Sequence, residues 1–198
     1  MSLYPSHSGF KRHLDPHHIK FFELIRDNRD KLGSTILNIG LDNNDGGVPS
    51  WPWVEWMLNE LKFDKVVVLE YHKPNVEFHR KHFEKEPRVK IIHGDVRRAA
   101  SFVTDEIDTV FWWHGPEHIP LEDLPQSYDQ LSLLANKAQF WACPWGNYYG
   151  VAKGRFTGDE HHYFPQNEHF ESLGLTVFNT GGAINTGHAN IVAYEIKE

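Results

Sequence analysis

The chain has 198 residues, of which 40% are hydrophobic and 24% charged, and a formal net charge of −7 at pH 7. These values suit one globular domain spanning 1–198, long enough to bury well over half of its unfolded surface, and they exclude a disordered chain. The acidic balance argues against nonspecific nucleic-acid binding, and no Lys/Arg block marks a local basic patch.

In chain order, residues 1–33 read as an N-terminal helical segment. Its first eighteen residues lack the apolar core of a signal peptide. No apolar run in the chain is long enough to span a bilayer, so a cytoplasmic protein without a membrane span is expected. "HHIKFFELIRDNRDKLG" carries Ile19, Phe22 and Ile25 near helical spacing, with Gly33 as its stop. "TILNIG" then predicts a strand, and "PWVEWMLNELK" a helix with Pro52 in its first turn. "KVVVLEY" is a β-branched run suited to a strand covered on both faces. A helix in "PNVEFHRKHFEKE" and strands in "RVKIIHGD" and "IDTVFWW" follow. A helix is expected over "PQSYDQLSLLANKA" and a fifth strand over "QFWACPWG".

Strands alternating with helices indicate a doubly wound α/β fold with a mostly parallel sheet. The chain ends differently. After a short helix in "EHFESLG", the strands "LTVFNT" and "HANIVAYEIK" are separated by "GGAINTG", too short for a crossover helix. They are expected to pair as an antiparallel C-terminal hairpin, giving seven strands. Cys143, the only cysteine, excludes an internal disulfide and cysteine-dominated zinc sites, and reads as a small buried hydrophobe.

In such a sheet, ligands sit outside the carboxyl ends of the strands. The first of these ends is the loop "GLDNNDGG". It lacks the glycines of a dinucleotide loop, the Gly-Lys-Ser/Thr of a phosphate loop, and two ligands of a calcium loop. It suits a ligand that is not strongly anionic: backbone N–H groups can meet a carboxylate, and Asp42 or Asp45 an amine or sulfonium. A simple Gly/Asn/Asp turn is the alternative. Glu70 closes "VVVLE", where it is placed to take both hydroxyls of a ribose. Asp95 closes "IIHGD", placed to accept from an adenine amino group or to cap the helix in "DVRRAASFV".

The series "LNIG", "VVVLE", "IIHGDV", "DTVFWWHGPEHI" and "AQFWACPWG", with the final hairpin, resembles the class I S-adenosylmethionine-dependent methyltransferases. The resemblance runs from about Thr35 to Lys197, and "FWWHGPEHIPLEDL" is similar to the fourth-strand motif of small-molecule methyltransferases. It implies a Rossmann-like methyltransferase fold, S-adenosylmethionine as cofactor, and a small-molecule or cell-surface-precursor acceptor. It further implies that Asn38, Gly40 and Leu41 line the methionine side of the cofactor and that Glu70 holds the ribose. Tyr71, Asp95 and Val96 would meet the adenine, while Trp113 and His114 would face the sulfonium and the substrate. The first motif departs from the usual pattern, with Asn38 in place of an acid and Gly40-Leu41-Asp42 in place of G-x-G. A non-catalytic binding module of the same fold is the alternative reading of that departure.

His114 is the candidate base or substrate-orienting group, with His118 four residues on; in a helix the pair would share a face. His114, His118, His161 and His162, with Glu160 or His169, invite a zinc reading. There is no H-E-x-x-H, and the adjacent His161 and His162 cannot easily face one ion, so no metal is assigned. Trp113 and Trp145 are expected in a pocket, whereas Trp112 and Trp141 are expected in the core on opposite faces. Residues 146–165, rich in glycine and aromatics, are the expected substrate lid.

Overall fold

The computed structural model describes residues 16–41, 51–147, 160–181, 184 and 190–197. Seven strands are present: β1 (Thr35–Ile39), β2 (Lys65–Glu70), β3 (Val89–His93), β4 (Ile107–Trp113), β5 (Ala135–Pro144), β6 (Thr176–Asn179) and β7 (Asn190–Ile196). Six α-helices accompany them: α1 (Pro16–Asp27), α2 (Trp51–Asn59), α3 (Lys73–His82), α4 (Ala99–Phe102), α5 (Leu124–Leu134) and α6 (Asn167–Glu171). The strands form one sheet in the order β3-β2-β1-β4-β5-β7-β6. Strands β1 to β5 pair in parallel, and β7 runs antiparallel between β5 and β6. The expected hairpin is therefore formed, with its second strand inserted into the sheet.

Because successive strand side chains point to opposite faces, the apolar runs feed two cores at once. Ile36, Val66, Val68, Phe111 and Phe140 pack against Phe21, Phe22 and Ile25 of α1, Val54 and Met57 of α2, and Val76 of α3. On the other face Leu37, Val67, Leu69, Val110 and Trp112 meet Ala99 of α4, Leu131 of α5 and Phe170 of α6. Trp112 and Trp141 are both buried as expected, but on the same face rather than opposite ones. They are register partners in neighbouring parallel strands, and their rings meet edge to face with centroids 4.8 Å apart.

The helix expected over "PQSYDQLSLLANKA" stops four residues early. Ala135 pairs with Ile107 and opens β5, so the ladder with β4 overrides the local helical pattern. Lys197 reinforces the break by donating from Nζ to the carbonyls of Ser132 (2.9 Å) and Ala135 (2.7 Å), groups left over at a helix end.

At the amino edge of the sheet Asp108 pins β4 to β1. Its Oδ2 accepts from the backbone N–H of Ser34 (2.7 Å) and of Thr35 (3.0 Å). The close approach depends on Gly33, which has a φ of +71° and where a side chain would overlap the Asp108 carboxylate. Burial works against the charge on Asp108. The Ser34 and Thr35 amides, with Lys137 nearby, outweigh it and hold the carboxyl below its usual range.

A depressed carboxyl adds stability above the unfolded value, about pH 4, that is lost as the pH falls through the lower folded value. Replacing Asp108 with Asn is expected to cost about 1–3 kcal/mol at neutral pH. In urea unfolding, wild type should lose more stability than D108N between about pH 7 and about pH 3. Equal losses in the two proteins would show that Asp108 does not act as a charged pin.

Candidate active site

Four loops leave the carboxyl edge of β1, β2, β3 and β4 side by side, and the acid of β2 ties the first two together. Gly40, with a φ of +78°, turns the chain out of β1, and its N–H donates to the Leu69 carbonyl at 2.9 Å. Asn38 is 3% exposed and donates from Nδ2 to the Gly40 carbonyl at 2.6 Å, a bond that an Asp or Glu could not make. Glu70, at the end of β2, accepts from the Leu41 N–H through Oε2 and from the His72 N–H through Oε1, both at 2.6 Å. It therefore bridges the loops after β1 and β2. Read from sequence, an acid at this point has no packing role; here its structural role is to satisfy two backbone donors.

The other expected cofactor residues fall on the same edge. Leu41 is buried in the core, so its contribution to the site is its backbone. Tyr71 is 53% exposed beside Glu70, an open ring at the end of β2. Asp95 caps the 3₁₀ turn Val96–Arg98 through the Arg97 N–H (2.9 Å) and holds the Arg97 guanidinium with both oxygens (2.6 and 3.0 Å). Burial opposes its charge, but those bonds outweigh it and hold the carboxyl below its usual range. Val96 is buried under this turn. Asp42 lies outside the described residues, as does most of the expected lid over 146–165.

Trp113 is half-buried among other aromatic rings. Its ring stands 4.7 Å from Phe21, 5.7 Å from Trp53 and 5.1 Å from His114, so α1 and α2 roof this side of the edge with aromatic rings. Trp145 is half-buried against the opposite core.

Beyond β4 the chain turns sharply. His114 takes the left-handed conformation (φ +47°) and donates its N–H to the Ala142 carbonyl at 2.8 Å. At Gly115 a side chain would overlap the Trp112 indole. The next three residues, Pro116–His118, form a 3₁₀ turn rather than the α-helix that would put His114 and His118 on one face. The two rings are nevertheless brought together through Glu117. His114 Nδ1 lies 3.4 Å, and His118 Nε2 3.8 Å, from Glu117 Oε1.

Glu117 is wholly buried, and neither of its oxygens has a hydrogen-bond partner among the described residues. The His114 contact is an ion-pair distance rather than a well-formed hydrogen bond. Burial opposes the charge on Glu117, but the two histidines outweigh it and keep the carboxyl below its usual range. Sequence reasoning passed over this residue. The signal available was a carboxylate between two histidines on a turn opened by proline, next to a buried strand.

The sequence matches no protein-family model and no curated protein. Solved structures do match. An O-methyltransferase family protein from Burkholderia thailandensis aligns with a TM-score of 0.57 at 12% identity over 89% of this chain, which spans 56% of that protein. The N-methyltransferase NodS from Bradyrhizobium japonicum aligns with a TM-score of 0.63 at 11% identity, covering 91% of this chain and 96% of NodS. Its complex with S-adenosyl-L-homocysteine aligns equally well, at 9% identity over 96% and 92% of the two chains. The chain has the class I methyltransferase fold. In that fold the edge just described, with Gly40, Glu70, Asp95 and His114 at the ends of four adjacent parallel strands, is the ligand-facing edge of the sheet.

The His114–Gly115 turn rests on the Trp112 indole, so Gly115→Ala is expected to displace the ring and cost about 1–3 kcal/mol. Urea unfolding and near-ultraviolet circular dichroism of the tryptophans report it, and an unchanged midpoint would show the turn to be independent of Trp112.

Proposed function

We propose that the chain binds S-adenosylmethionine across the ends of β1, β2 and β3 and transfers its methyl group to a small-molecule or cell-surface-precursor acceptor beyond β4 and β5. The observation that carries this reading is the Glu70 carboxylate, fixed by two backbone N–H groups between the β1 and β2 loops and flanked by the exposed Tyr71 ring. A carboxylate offers about four acceptor sites on its two oxygens, enough for both these amides and the two hydroxyls of a ribose. Tyr71 then lies against the base, with Asp95 and the Val96 backbone at the purine edge. Asn38, Gly40 and Leu41 bound the methionine end.

Methyl transfer from a sulfonium is an in-line displacement, so positioning and exclusion of water supply most of the rate. The rings of Phe21, Trp53 and Trp113 support the latter by covering the β4 end of the edge. For an acceptor that must lose a proton, His114 is the base. Glu117 steers its ring through Nδ1, and Nε2 is the atom that takes the proton. His118, on the far side of the same carboxylate, is a positioning residue in this scheme.

A second reading keeps ligand binding without methyl transfer. Asn38 favours it, because an amide engaged with the Gly40 carbonyl replaces the acid usual at this point.

Calorimetry with S-adenosylmethionine and S-adenosylhomocysteine tests the cofactor assignment. Replacing exposed Tyr71 with Ala should weaken binding by about 1–3 kcal/mol, the worth of a base–aromatic stack, without disturbing the fold. Glu70→Ala should cost about 1.5–3 kcal/mol. Absence of saturable binding at millimolar ligand would end both readings, whereas tight binding without turnover of any acceptor would leave the second.

A further inference from the structure

The second cluster at this edge holds more ligand atoms than a base and its orienting carboxylate require. Glu117, His118 and His161 each bring one ligand atom to within 4.8 Å of the others. The segment carrying His161 is fastened there by the chain itself: the His162 N–H donates to the Glu117 carbonyl at 2.9 Å, and the His118 and His161 rings meet edge to face at 4.9 Å.

The protonation pattern is informative. His118 Nδ1 is 3.3 Å from the Glu160 carbonyl, which can only accept, so Nδ1 carries the hydrogen. In the neutral ring, Nε2 then presents a lone pair toward Glu117 Oε1 at 3.8 Å, too far for a hydrogen bond. Two lone pairs face each other across a gap, one of them on a fully buried carboxylate with no hydrogen-bond partner among the described residues. Such an arrangement calls for a cation between them, either a proton on Nε2 or a metal ion, and a histidine held through Nδ1–H by a backbone carbonyl is the usual orientation of a metal-ligating imidazole.

We infer that Glu117, His118 and His161 form a binding site for a divalent transition-metal ion of the zinc type. Two imidazoles and one carboxylate match the borderline preference of such ions rather than the all-oxygen sites of magnesium or calcium. Tetrahedral ligands about 2.0–2.1 Å from zinc stand about 3.3 Å apart, so modest rotation of the His118 and His161 side chains closes the site. Three protein ligands leave the fourth position open. The buried Tyr163 hydroxyl, two residues beyond His161 and without a hydrogen-bond partner among the described residues, is a further polar group in this segment. His114, 3.4 Å from Glu117 Oε1, then serves as an outer partner that orients the ligating carboxylate. If the methyl-transfer reading holds, on which this last step rests, the open position is where an oxygen or nitrogen acceptor would be polarised.

Metal binding is measured without any S-adenosylmethionine, so its outcome is separate from that of the cofactor test. Metal-stripped protein is titrated with Co(II) and Zn(II), following the visible ligand-field absorption of Co(II) and the bound stoichiometry. One equivalent with four- or five-coordinate Co(II) absorption, displaced by Zn(II), is expected. H161A and the isosteric E117Q should each weaken that equivalent by at least about tenfold, since even outer partners of metal ligands carry that much. H93A, at the end of β3, should not, and thermal unfolding of the metal-free variants verifies that they fold. Failure of the wild-type protein to bind, or equal binding by wild type, H161A and E117Q, would overturn the site and assign any bound metal to other histidines.

Discussion

A carboxylate that closes an otherwise apolar strand must find hydrogen-bond donors, and Glu70 finds them in two backbone amides rather than in water. That interaction sets the shape of the carboxyl edge. It holds the exit of β1 against the exit of β2, and the Gly40 amide on Leu69 and the Gly94 amide on Glu70 continue the stitching toward β3. The stitching follows from the topology, because neighbouring parallel strands leave their loops on one edge and those loops must have their polar groups satisfied there. A carboxylate held from both sides cannot swing away, so a ligand that uses it does not bear the entropy of fixing it.

The same economy recurs at the other acids of the sheet. Asp95 is spent on a turn amide and a guanidinium, and Asp105 on the Lys65 and Lys90 ammonium groups at 2.6 and 2.7 Å. Glu117 stands apart, because what faces it is two imidazole rings rather than amide or ammonium groups. The consequences spread to its neighbours: burial and the Glu117 charge push the Cys143 thiol up, and burial with the same charge raises the Tyr163 hydroxyl. The buried surroundings of Glu117 are thus a place where negative charge already present discourages more.

Much of the fold was legible in the chain because two periodicities were clean. Apolar β-branched runs marked strands covered on both faces, and the short "GGAINTG" segment forced an antiparallel ending. The misreadings came where tertiary contacts outweigh local pattern. Nothing local tells Ala135 to leave a helix, since the reason is the β4 ladder and a lysine at position 197. Trp112 and Trp141 could be placed in the core but not on a face, because that depends on strand register. At the candidate site, acids following buried runs identified Glu70 and Asp95. Glu117 was hidden, as its meaning depends on a 3₁₀ turn and on a segment more than forty residues away.

The Asp108 pin lies at the far end of the same strands. It clasps β1 and β4 at their amino ends, and Thr109 adds a bond from its hydroxyl to the Leu32 carbonyl at 2.7 Å. The two central strands are thus clasped at their amino ends in addition to the backbone ladder that pairs them from Ile36 and Thr109 to Ile39 and Trp112. The consequence is a division of labour along β1 and β4: the clasped amino ends fix the spacing of the strands, and Gly40 and His114, both in the left-handed conformation just past the shared ladder, are where the chain departs from it.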